Sequence, residues 1–228
     1  MVVGGSSGIG SGVVEGLLGS GAQVIYASRT KGKNNSSVIH VEADVSNESS
    51  VSSLFKEVDR FGDLDFLVNA AGASSNTRLS KLELAEWDFV ISSNLKSTFL
   101  CCKAAISRMK KNSFGRVVNI SSIAGKHKSI VAGVHYVSSK AGVIGLTKQL
   151  AHELSDTGIN VNVVAPSQTL TPLLEAAMTK DELNLLSKNI PLRRIAEVRE
   201  QVGPILFLLS DAASYINGAV IDVNGGQI

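Results

Sequence analysis

Segments typical of β-strands alternate with segments typical of amphipathic helices seven times along the 228 residues. The strand segments are short and apolar, and apolar residues recur at helical spacing between them. This alternation favours a parallel sheet with helices on both faces, because two parallel strands need a crossover between them. We therefore predict an α/β fold, a doubly wound parallel sheet of about seven strands, in a single domain that spans residues 1–228. The strands are predicted at 1–3, 23–27, 38–41, 65–68, 117–120, 160–164 and 219–223.

A glycine-rich turn lies between the first strand and the first helix. Residues 3–10 read VGGSSGIG, and only Met1 to Val3 precede the turn, so the first strand is expected to be very short. Glycines let the backbone approach a pyrophosphate, and the helix that follows offers N–H groups and a favourable dipole at its N-terminus. The turn predicts a Rossmann-type dinucleotide site around Gly4, Gly8 and Gly10. The alternative is a flexible N-terminal tail.

Ser28 and Arg29 follow the second predicted strand. At this position an acid binds the 2′-hydroxyl of the adenosine ribose, whereas a neutral residue followed by Arg can receive a 2′-phosphate. The pair therefore predicts NADP. The alternative is that Arg29 is an ordinary surface charge and that Lys31 to Lys33 belong to a solvated loop; the segment from Thr30 to Ser37 is too short for a full helix. Asp44, after the third strand, is expected to accept a hydrogen bond from the adenine amine.

The stretch from Asn119 to Lys140, NISSIAGKHKSIVAGVHYVSSK, carries candidate catalytic groups. Tyr136 and Lys140 are four residues apart, which places both on one face of a helix. An ammonium one turn away favours the phenolate and lowers a tyrosine pKa from its ordinary value of about 10 towards the working range. Ser122 would lie at the carboxyl end of a strand and offer its hydroxyl to a substrate oxygen. The alternative is a half-exposed ring beside a solvated amine, which is common on helices.

A long, leucine-rich excursion runs from Thr171 to Ile195. Because the other links are short, this segment predicts a mobile substrate lid at about 171–195. The leucines suit an aliphatic or acyl chain. Four basic residues could meet an acidic carrier protein, with solvated surface charges as the alternative; these are Lys126, Lys128, Arg193 and Arg194.

The composition narrows the range of partners. Charged residues make up 18% of the chain and the formal net charge is +2, with no basic block, so nucleic acid is not an expected partner. There is no basic N-terminal region, and no apolar run reaches the roughly 20 residues that span a bilayer. We expect a soluble, cytoplasmic protein with no membrane partner. The adjacent Cys101 and Cys102 are typical of small core residues rather than of a disulfide or zinc site.

Together these motifs resemble the short-chain dehydrogenases/reductases, and within them the 3-oxoacyl-[acyl-carrier-protein] reductase-like branch. The resemblance covers nearly the whole chain. It is carried by the glycine turn, Asp44, NAAG at 69–72, Asn94 in NLKSTF, Ser122 in NISS, Tyr136 and Lys140, the turn at Pro166, and FLLSDAASYINGAVIDVNGG at 207–226.

The resemblance implies a role for each catalytic residue. Tyr136 would protonate the carbonyl oxygen during reduction, while hydride comes from the nicotinamide. Lys140 would lower the tyrosine pKa and hold the nicotinamide ribose. Ser122 would orient and polarise the carbonyl, and Asn94 would hold a water that feeds protons through the lysine. No metal is expected, because the tyrosine supplies the electrophilic contact that a zinc ion would otherwise give.

The resemblance also implies the coenzyme and the assembly. NADP(H) is expected, with NAD(H) at lower preference, and a homotetramer is expected to form through the helices at 94–109 and 134–154. The implied coenzyme contacts are Gly4, Ser6, Ser7, Gly8, Ile9, Gly10, Ser28, Arg29, Asp44, Val45, Asn69, Ala70, Ala71, Gly72, Tyr136, Lys140, Pro166, Ser167, Thr169 and Thr171.

Several positions depart from the family pattern. Val3 replaces a threonine, Ala70 the second asparagine of NNAG, and Ser167 a glycine, and the step of fourteen from Ser122 to Tyr136 is one residue longer than is common. None removes a catalytic group. We predict an NADP(H)-dependent reductase that transfers hydride to a ketone or 3-oxoacyl carbonyl. The alternatives are an NAD(P)-dependent dehydrogenase of a secondary alcohol or sugar, and a non-catalytic dinucleotide-sensing module.

Overall fold

The computed structural model describes residues 1–30, 32 and 34–228, without the side chain of Ala177. The strands within these residues are β1 Val2–Val3, β2 Val24–Ser28, β3 Val38–Glu42, β4 Phe66–Asn69, β5 Gly115–Ile120, β6 Ile159–Pro166, β7 Thr169–Leu170, β8 Ala196–Glu197 and β9 Val220–Val223. Seven of them form one parallel sheet in the order β3-β2-β1-β4-β5-β6-β9, and β7 and β8 form a separate pair. The predicted doubly wound sheet is confirmed.

Helices cover both faces of this sheet. They are α1 Gly8–Gly19, α2 Glu48–Val58, α3 Leu84–Ile91, α4 Ser97–Met109, α5 Val134–Glu153, α6 Pro172–Ala177, α7 Lys180–Lys188 and α8 Val198–Leu209. Successive strand residues point to opposite faces. Val2 therefore packs in the core beneath α1 and α8, whereas Val3 packs with residues of α2 and α4 in the core on the other face.

The very short first strand lies in the middle of the sheet. Val2 pairs with Tyr26 of β2 and with Val68 of β4, so β1 has a parallel neighbour on each side. The strand order reverses here, since β2 and β3 lie on one side of β1 and β4 to β6 on the other. Ligands of open α/β sheets bind in the crevice at such a reversal, beside the carboxyl ends of the strands.

The connections differ from the prediction in detail. The two helices expected to meet near Asn94 are joined by a π-helical turn at Ser92–Lys96. The excursion after Thr171 contains α6 and α7, and a small parallel pairing of β7 with β8, which was not predicted, brackets it. Between β2 and β3 the described residues form no helix, as expected, and the predicted solvated loop at Lys31 and Lys33 lies outside the described residues.

Two further features of the fold bear on the sequence-based expectations. Cys101 and Cys102 are buried in the core, as predicted, and burial raises the pKa of the Cys102 thiol to about 12. Across the described ranges of the chain, no helix combines the length and apolar character needed to cross a membrane.

Candidate active site

The glycine turn brings the end of β1, the start of α1 and the loop after β4 into close contact. Gly4 has a φ of +82°, and a Cβ on it would lie 2.6 Å from the amide nitrogen of Ala71. A Cβ on Gly10 would lie 2.1 Å from the carbonyl oxygen of Gly4. Any side chain at these two positions would therefore force the turn apart.

The N-terminus of α1 is suited to an anion. Its N-cap residue is Ser7, and within the described residues the Ser7 side chain makes no capping hydrogen bond and the first turn holds no acidic residue. The first N–H groups of α1 thus point towards the crevice at the positive end of the helix dipole. No carboxylate in the first turn competes with an anion for these N–H groups. These residues fit the pyrophosphate of a dinucleotide.

Ser28 has a different set of partners from the predicted one. It is 9% exposed, and its hydroxyl donates to the Thr30 carbonyl oxygen at 2.8 Å and lies 2.9 Å from Nε2 of His40. A hydroxyl has one proton, so His40 Nε2 must be the donor in the second bond. Ser28 can donate to a 2′-phosphate only by giving up the bond to Thr30. Arg29 is exposed at the end of the strand and remains the candidate phosphate ligand.

Asp44 is exposed at the end of the next strand, and its carboxylate is held locally. Oδ1 accepts from the Ser46 backbone N–H at 3.0 Å and from the Ser46 hydroxyl at 2.7 Å. These bonds, with a smaller contribution from the Arg29 guanidinium, lower the pKa of Asp44. Val45, the next residue, is half-buried against the core rather than projecting into solvent.

Asn69, one of the predicted coenzyme contacts, can offer only its backbone to a coenzyme. Its side chain is buried, and Nδ2 donates to Asn119 Oδ1 at 2.8 Å and to Cys102 Sγ at 3.4 Å. Asn119 in turn donates to Thr147 Oγ1 at 2.9 Å, which links β4 and β5 to α5. The Asn69 side chain thus points into the interior of the protein, and only its backbone reaches the crevice. The reason is that helices cover both faces of the sheet, so side chains on either side of β4 point into a packed core.

The residues after Asn69 do lie at the crevice. Ala70 donates its N–H to the Val3 carbonyl at 2.9 Å, and the Ala71 backbone touches Gly4. A Cβ on Gly72 would lie 2.9 Å from Asn94 Oδ1 and 3.5 Å from Lys140 Nζ. Gly72 therefore joins the glycine turn to the catalytic residues along one edge of the sheet.

The start of the predicted lid adjoins the glycine turn. A Cβ on Gly8 would lie 3.2 Å from the Thr171 methyl group, and Thr171 caps α6 by accepting from Leu174 N at 3.3 Å. Thr169 is buried and donates its hydroxyl to the Ser167 carbonyl at 3.1 Å. Ser167 continues from Pro166 at the end of β6 and donates its N–H to the Val223 carbonyl at 3.1 Å.

Tyr136 and Lys140 both lie in the first two turns of α5, as their spacing predicted. Lys140 is 6% exposed, its Nζ lies 5.9 Å from the centroid of the Tyr136 ring, and it donates to the Ile120 carbonyl at 2.9 Å. Burial lowers the pKa of Lys140 to about 8. An ammonium has three N–H groups, so two remain to hold ribose hydroxyls.

The electrostatics of Tyr136 differ from the sequence-based expectation. Burial raises the pKa of its phenol above the ordinary value, and a hydrogen bond with the Ser122 hydroxyl offsets part of this increase. Burial therefore sets the direction of the shift, and the neighbouring Lys140 amine, whose own pKa burial lowers, does not bring the Tyr136 pKa below its ordinary value. The Tyr136 phenol therefore keeps its proton at neutral pH.

Ser122 lies beside Tyr136, two residues after the end of β5. Its backbone is extended, with a φ of −165°, and its Oγ accepts from the Ala124 N–H at 3.1 Å. The backbone bond uses an acceptor site of the hydroxyl, so the hydroxyl proton is available for the hydrogen bond with Tyr136, and a carbonyl oxygen in front of Tyr136 could take that bond over.

Asn94 connects the loop after β4 to α5. It is fully buried in the π-helical turn; Oδ1 accepts from Ala73 N at 2.7 Å, and Nδ2 donates to Ala73 O at 3.0 Å and to Ser139 Oγ at 2.9 Å. Ser139 donates to the Tyr136 carbonyl at 2.7 Å. The Asn94 side chain is fully engaged by protein groups, which makes it a structural clamp. The role of holding a water stays a prediction.

Ser139 was not singled out in the sequence. It is fully buried and joins Asn94 to the backbone of Tyr136. Ser121 was missed too, although its hydroxyl donates to the Lys140 carbonyl at 2.8 Å. A polar residue three positions after Tyr136 on the helix was the available signal for Ser139, whereas nothing local indicated Ser121.

Comparisons with known proteins cover nearly the whole chain. A protein-family model described as enoyl-(acyl carrier protein) reductase matches residues 3–227. The chain is 37% identical to the 3-oxoacyl-[acyl-carrier-protein] reductase of Synechocystis over 100% of its own length and 96% of that protein. It is 35% identical to the Haemophilus influenzae protein of the same name over 99% of its own length and 96% of that protein.

A solved structure is similar over the same extent. The ligand-free aldohexose dehydrogenase of Thermoplasma acidophilum matches with a TM-score of 0.92 at 30% sequence identity, and the match covers 99% of this chain and 92% of that one.

Proposed function

The chain belongs to the short-chain dehydrogenase/reductase family, whose members are oxidoreductases that act on CH–OH or C=O groups with a nicotinamide dinucleotide, and we propose that it is an NADP(H)-dependent reductase of a ketone or 3-oxoacyl carbonyl. The observation that carries the proposal is the convergence of Ser122, Tyr136 and Lys140 next to Gly72 and the glycine turn. The relatives named 3-oxoacyl-[acyl-carrier-protein] reductase support a carbonyl substrate.

The catalytic residues divide the work of the proposed reduction. The coenzyme, when bound, supplies a hydride to the carbonyl carbon. Ser122 donates a hydrogen bond to the carbonyl oxygen, and Tyr136 transfers its phenolic proton to that oxygen as negative charge develops. Lys140 holds the ribose, and its charge stabilises the phenolate that remains.

The phenol of Tyr136 carries the proton that reduction consumes. Reduction needs the phenol as an acid, whereas oxidation of an alcohol needs the phenolate as a base. Burial raises the Tyr136 pKa and so favours the protonated form, while the direction of turnover follows the ratio of the coenzyme forms. The hydrogen bond between Ser122 and Tyr136, with Lys140 beside the Tyr136 ring, argues against a non-catalytic sensing module.

The choice of NADP(H) rests on Arg29. The guanidinium is exposed at the end of β2 and can pair with a 2′-phosphate through two N–H groups. Asp44 lies close enough for Arg29 to lower its pKa, so the same guanidinium also reduces the repulsion between that carboxylate and a phosphate. We expect preference for NADP(H) without exclusion of NAD(H).

The substrate is proposed to enter beneath the segment at 171–195. Large apolar side chains are exposed on and beside it, with Leu173, Leu185 and Leu192 at 65%, 64% and 63% exposure. The proposed basic surface for a carrier protein is weaker than the sequence suggests, because Lys126 pairs with Asp222 and Arg194 pairs with Glu200. Lys128 and Arg193 are the cations that this surface would contribute.

A kinetic comparison tests the proposed function. Oxidation of NADPH is measured with free β-keto esters, cyclic ketones and carrier-bound 3-oxoacyl chains, and reduction of NAD⁺ and NADP⁺ is measured with aldohexoses and secondary alcohols. We expect turnover of the ketones or 3-oxoacyl chains with NADPH. Turnover of aldohexoses alone would favour the dehydrogenase alternative, which the similarity to the aldohexose dehydrogenase structure supports. Coenzyme binding without any turnover would favour a sensing module.

We also propose a homotetramer. Apolar side chains stay exposed on the helices expected to pair, with Phe99 and Val134 at 45% and 42% exposure. Phe89 of α3 and Phe207 of α8 are also exposed, at 52% and 44%. Such surfaces are typical of subunit contacts. Light scattering at micromolar concentration should give the mass of four chains, and a monomer would contradict the proposal.

A further inference from the structure

His135, the residue directly before Tyr136, is a buried imidazole that faces a carboxylate. It is fully buried in the first turn of α5, and its Nε2 lies 3.3 Å from Oε1 of Glu86 on α3. Its other ring nitrogen, Nδ1, is buried and has no partner among the described residues. A buried nitrogen without a partner destabilises the fold relative to an apolar side chain of similar size. Packing alone therefore does not account for an imidazole at this position.

Glu86 connects three segments around the His135 ring: α3, the loop after β4 and the start of α5. Its carboxylate accepts hydrogen bonds from the side chains of Ser75 and Thr77 in the loop after β4, as well as from His135, and these bonds lower the pKa of Glu86. The Ser75 carbonyl in turn accepts the Gly133 N–H at 3.0 Å. One carboxylate on α3 thus ties the loop after β4 to the start of α5.

The start of α5 leaves no room for a different arrangement. Gly133 is the N-cap of the helix, and a Cβ on it would lie 2.4 Å from Cε1 of His135 and 2.6 Å from the Thr77 carbonyl oxygen. Gly133 at the helix N-terminus is consequently packed closely between the His135 ring and the Thr77 backbone. A shift of either one would be transmitted to Tyr136 in the same turn.

Tyr136 is therefore held from two sides. Asn94 and Ser139 hold its backbone carbonyl from the side of the coenzyme crevice. His135 and Glu86 hold the helix N-terminus from the side of the loops at 75–77 and 129–133, where Arg78 also donates to the Ile130 carbonyl at 2.9 Å. The first contact adjoins Gly72, one of the predicted coenzyme contacts, whereas Glu86 and His135 are not among those contacts.

We propose that Glu86 and His135 are positioning residues that act through Tyr136. Together they fix the first turn of α5 so that the Tyr136 hydroxyl meets the carbonyl oxygen. Their loss should therefore lower kcat and leave the affinity for the coenzyme unchanged. This rests on the proposed reductase function. Small displacements of a catalytic group can reduce the rate strongly, so breaking the pair should lower kcat on the order of 10- to 100-fold.

The test compares Glu86→Ala, Glu86→Gln, His135→Ala and the double alanine variant in the full-length enzyme. Glu86→Ala should lower kcat with an unchanged Kd for NADPH. Glu86→Gln should recover most of the rate, because its amide oxygen has two acceptor sites and can still accept from His135 and Ser75, and its NH2 group can donate to the Thr77 hydroxyl. The double variant should lose about as much as either single variant, since the two residues act as one unit. Asp59→Ala is the matched control, because it removes an ion pair with Arg108 away from α5.

Three results would overturn the proposal: a kcat for Glu86→Ala equal to that of the control, losses that multiply in the double variant, or a glutamine variant as slow as the alanine variant. Hydrogen exchange of the amides at 134–140, with NADPH bound, gives a readout that needs no turnover. We expect faster exchange in Glu86→Ala and His135→Ala than in the wild type and the control. If the wild type turned over none of the substrates while the exchange changed as expected, the reductase assignment would fail, but the role of Glu86 and His135 in fixing the first turn of α5 would stand. Unchanged exchange would refute that role itself.

Discussion

The proposed reaction end and the proposed adenosine end of the crevice are built in different ways. At the reaction end Asn94 and Ser139 are fully buried and Lys140 is 6% exposed, and their hydrogen bonds join residues from separate elements. At the proposed adenosine end Arg29 and Asp44 are exposed. The hydrogen bonds there are shorter in range: those from Ser28 to Thr30 and from Ser46 to Asp44 span two residues each, and that between Ser28 and His40 spans 12.

This difference separates the two tasks of the site. Proton transfer requires atoms held within a few tenths of an ångström, which long-range contacts in a packed interior provide. Recognition of a 2′-phosphate needs a charge within reach, which an exposed arginine provides. Changes at the reaction end should therefore abolish turnover, whereas changes at the adenosine end should redirect coenzyme use and leave the chemistry intact.

The largest effect is expected from Tyr136→Phe. The ring still packs, but the proton that reduction consumes is gone, so kcat should fall on the order of 10²- to 10⁴-fold. Coenzyme affinity, measured by titration of NADPH fluorescence, should change little. Lys140→Ala is the contrasting variant, since it removes the ribose contact as well and should weaken NADPH binding. Near wild-type turnover by Tyr136→Phe would remove the basis of the comparison.

The next effect is a pH dependence of stability from Lys140. Its pKa is about 8 in the folded protein against an ordinary value of 10.5, so between these pH values the unfolded chain binds a proton that the folded chain lacks. Stability from this site must then rise with pH in that window, by up to roughly 3 kcal/mol in total, and stay constant below pH 8.

This contribution can be isolated by urea unfolding of the wild type and of Lys140→Met. The measurements are made at pH 7, 8, 9 and 10, values chosen to span roughly the window of the Lys140 titration. The free energy of unfolding of the wild type should increase relative to the methionine variant above pH 8, because the other titrations occur in both proteins. Parallel curves would mean that the amine is not buried in the folded protein.

A smaller effect is expected at the adenosine end. Arg29→Ala should lower kcat/KM for NADPH by one to two powers of ten, the equivalent of about 1.5 to 3 kcal/mol, and leave NADH use unchanged. Ser28→Ala serves as the control and should change the coenzyme ratio less, since the Ser28 hydroxyl already donates to Thr30. The double change Ser28→Asp with Arg29→Ala should invert the preference. Equal use of NADH and NADPH by the wild type would contradict the assignment.

The smallest effect concerns helix α2, which follows the adenosine-side loop. Asn47 caps this helix by accepting from the backbone N–H groups of Ser49 and Ser50. Asn47→Ala should lower the free energy of unfolding by about 1 kcal/mol, while Asn47→Asp, which keeps the acceptor, should retain it. Neither variant should alter kcat, and a change in kcat would show that the two ends of the crevice are coupled.

Much of the fold was predictable because its signals are local. The predicted strands agree with the observed ones to within a few residues, since a short apolar run between helical segments has few other interpretations in an alternating chain. The pairing of β7 with β8 was missed because each strand has only two residues and carries no period of its own. The π-helical turn at Asn94 was missed because its spacing also fits an ordinary helix boundary.

The sequence by itself determined the parallel sheet, the glycine turn and the placement of Tyr136 and Lys140 on one helix face, because each depends on neighbours within a turn or a strand. The tertiary structure alone decided that Asn69 points inward, that burial raises the Tyr136 pKa, and that Glu86 meets His135. These outcomes depend on partners far apart in the chain, 50 residues from Asn69 to Asn119 and 49 from Glu86 to His135. Spacing along the chain carries no information about which side chains the packed core brings together, or about how much water it removes from them.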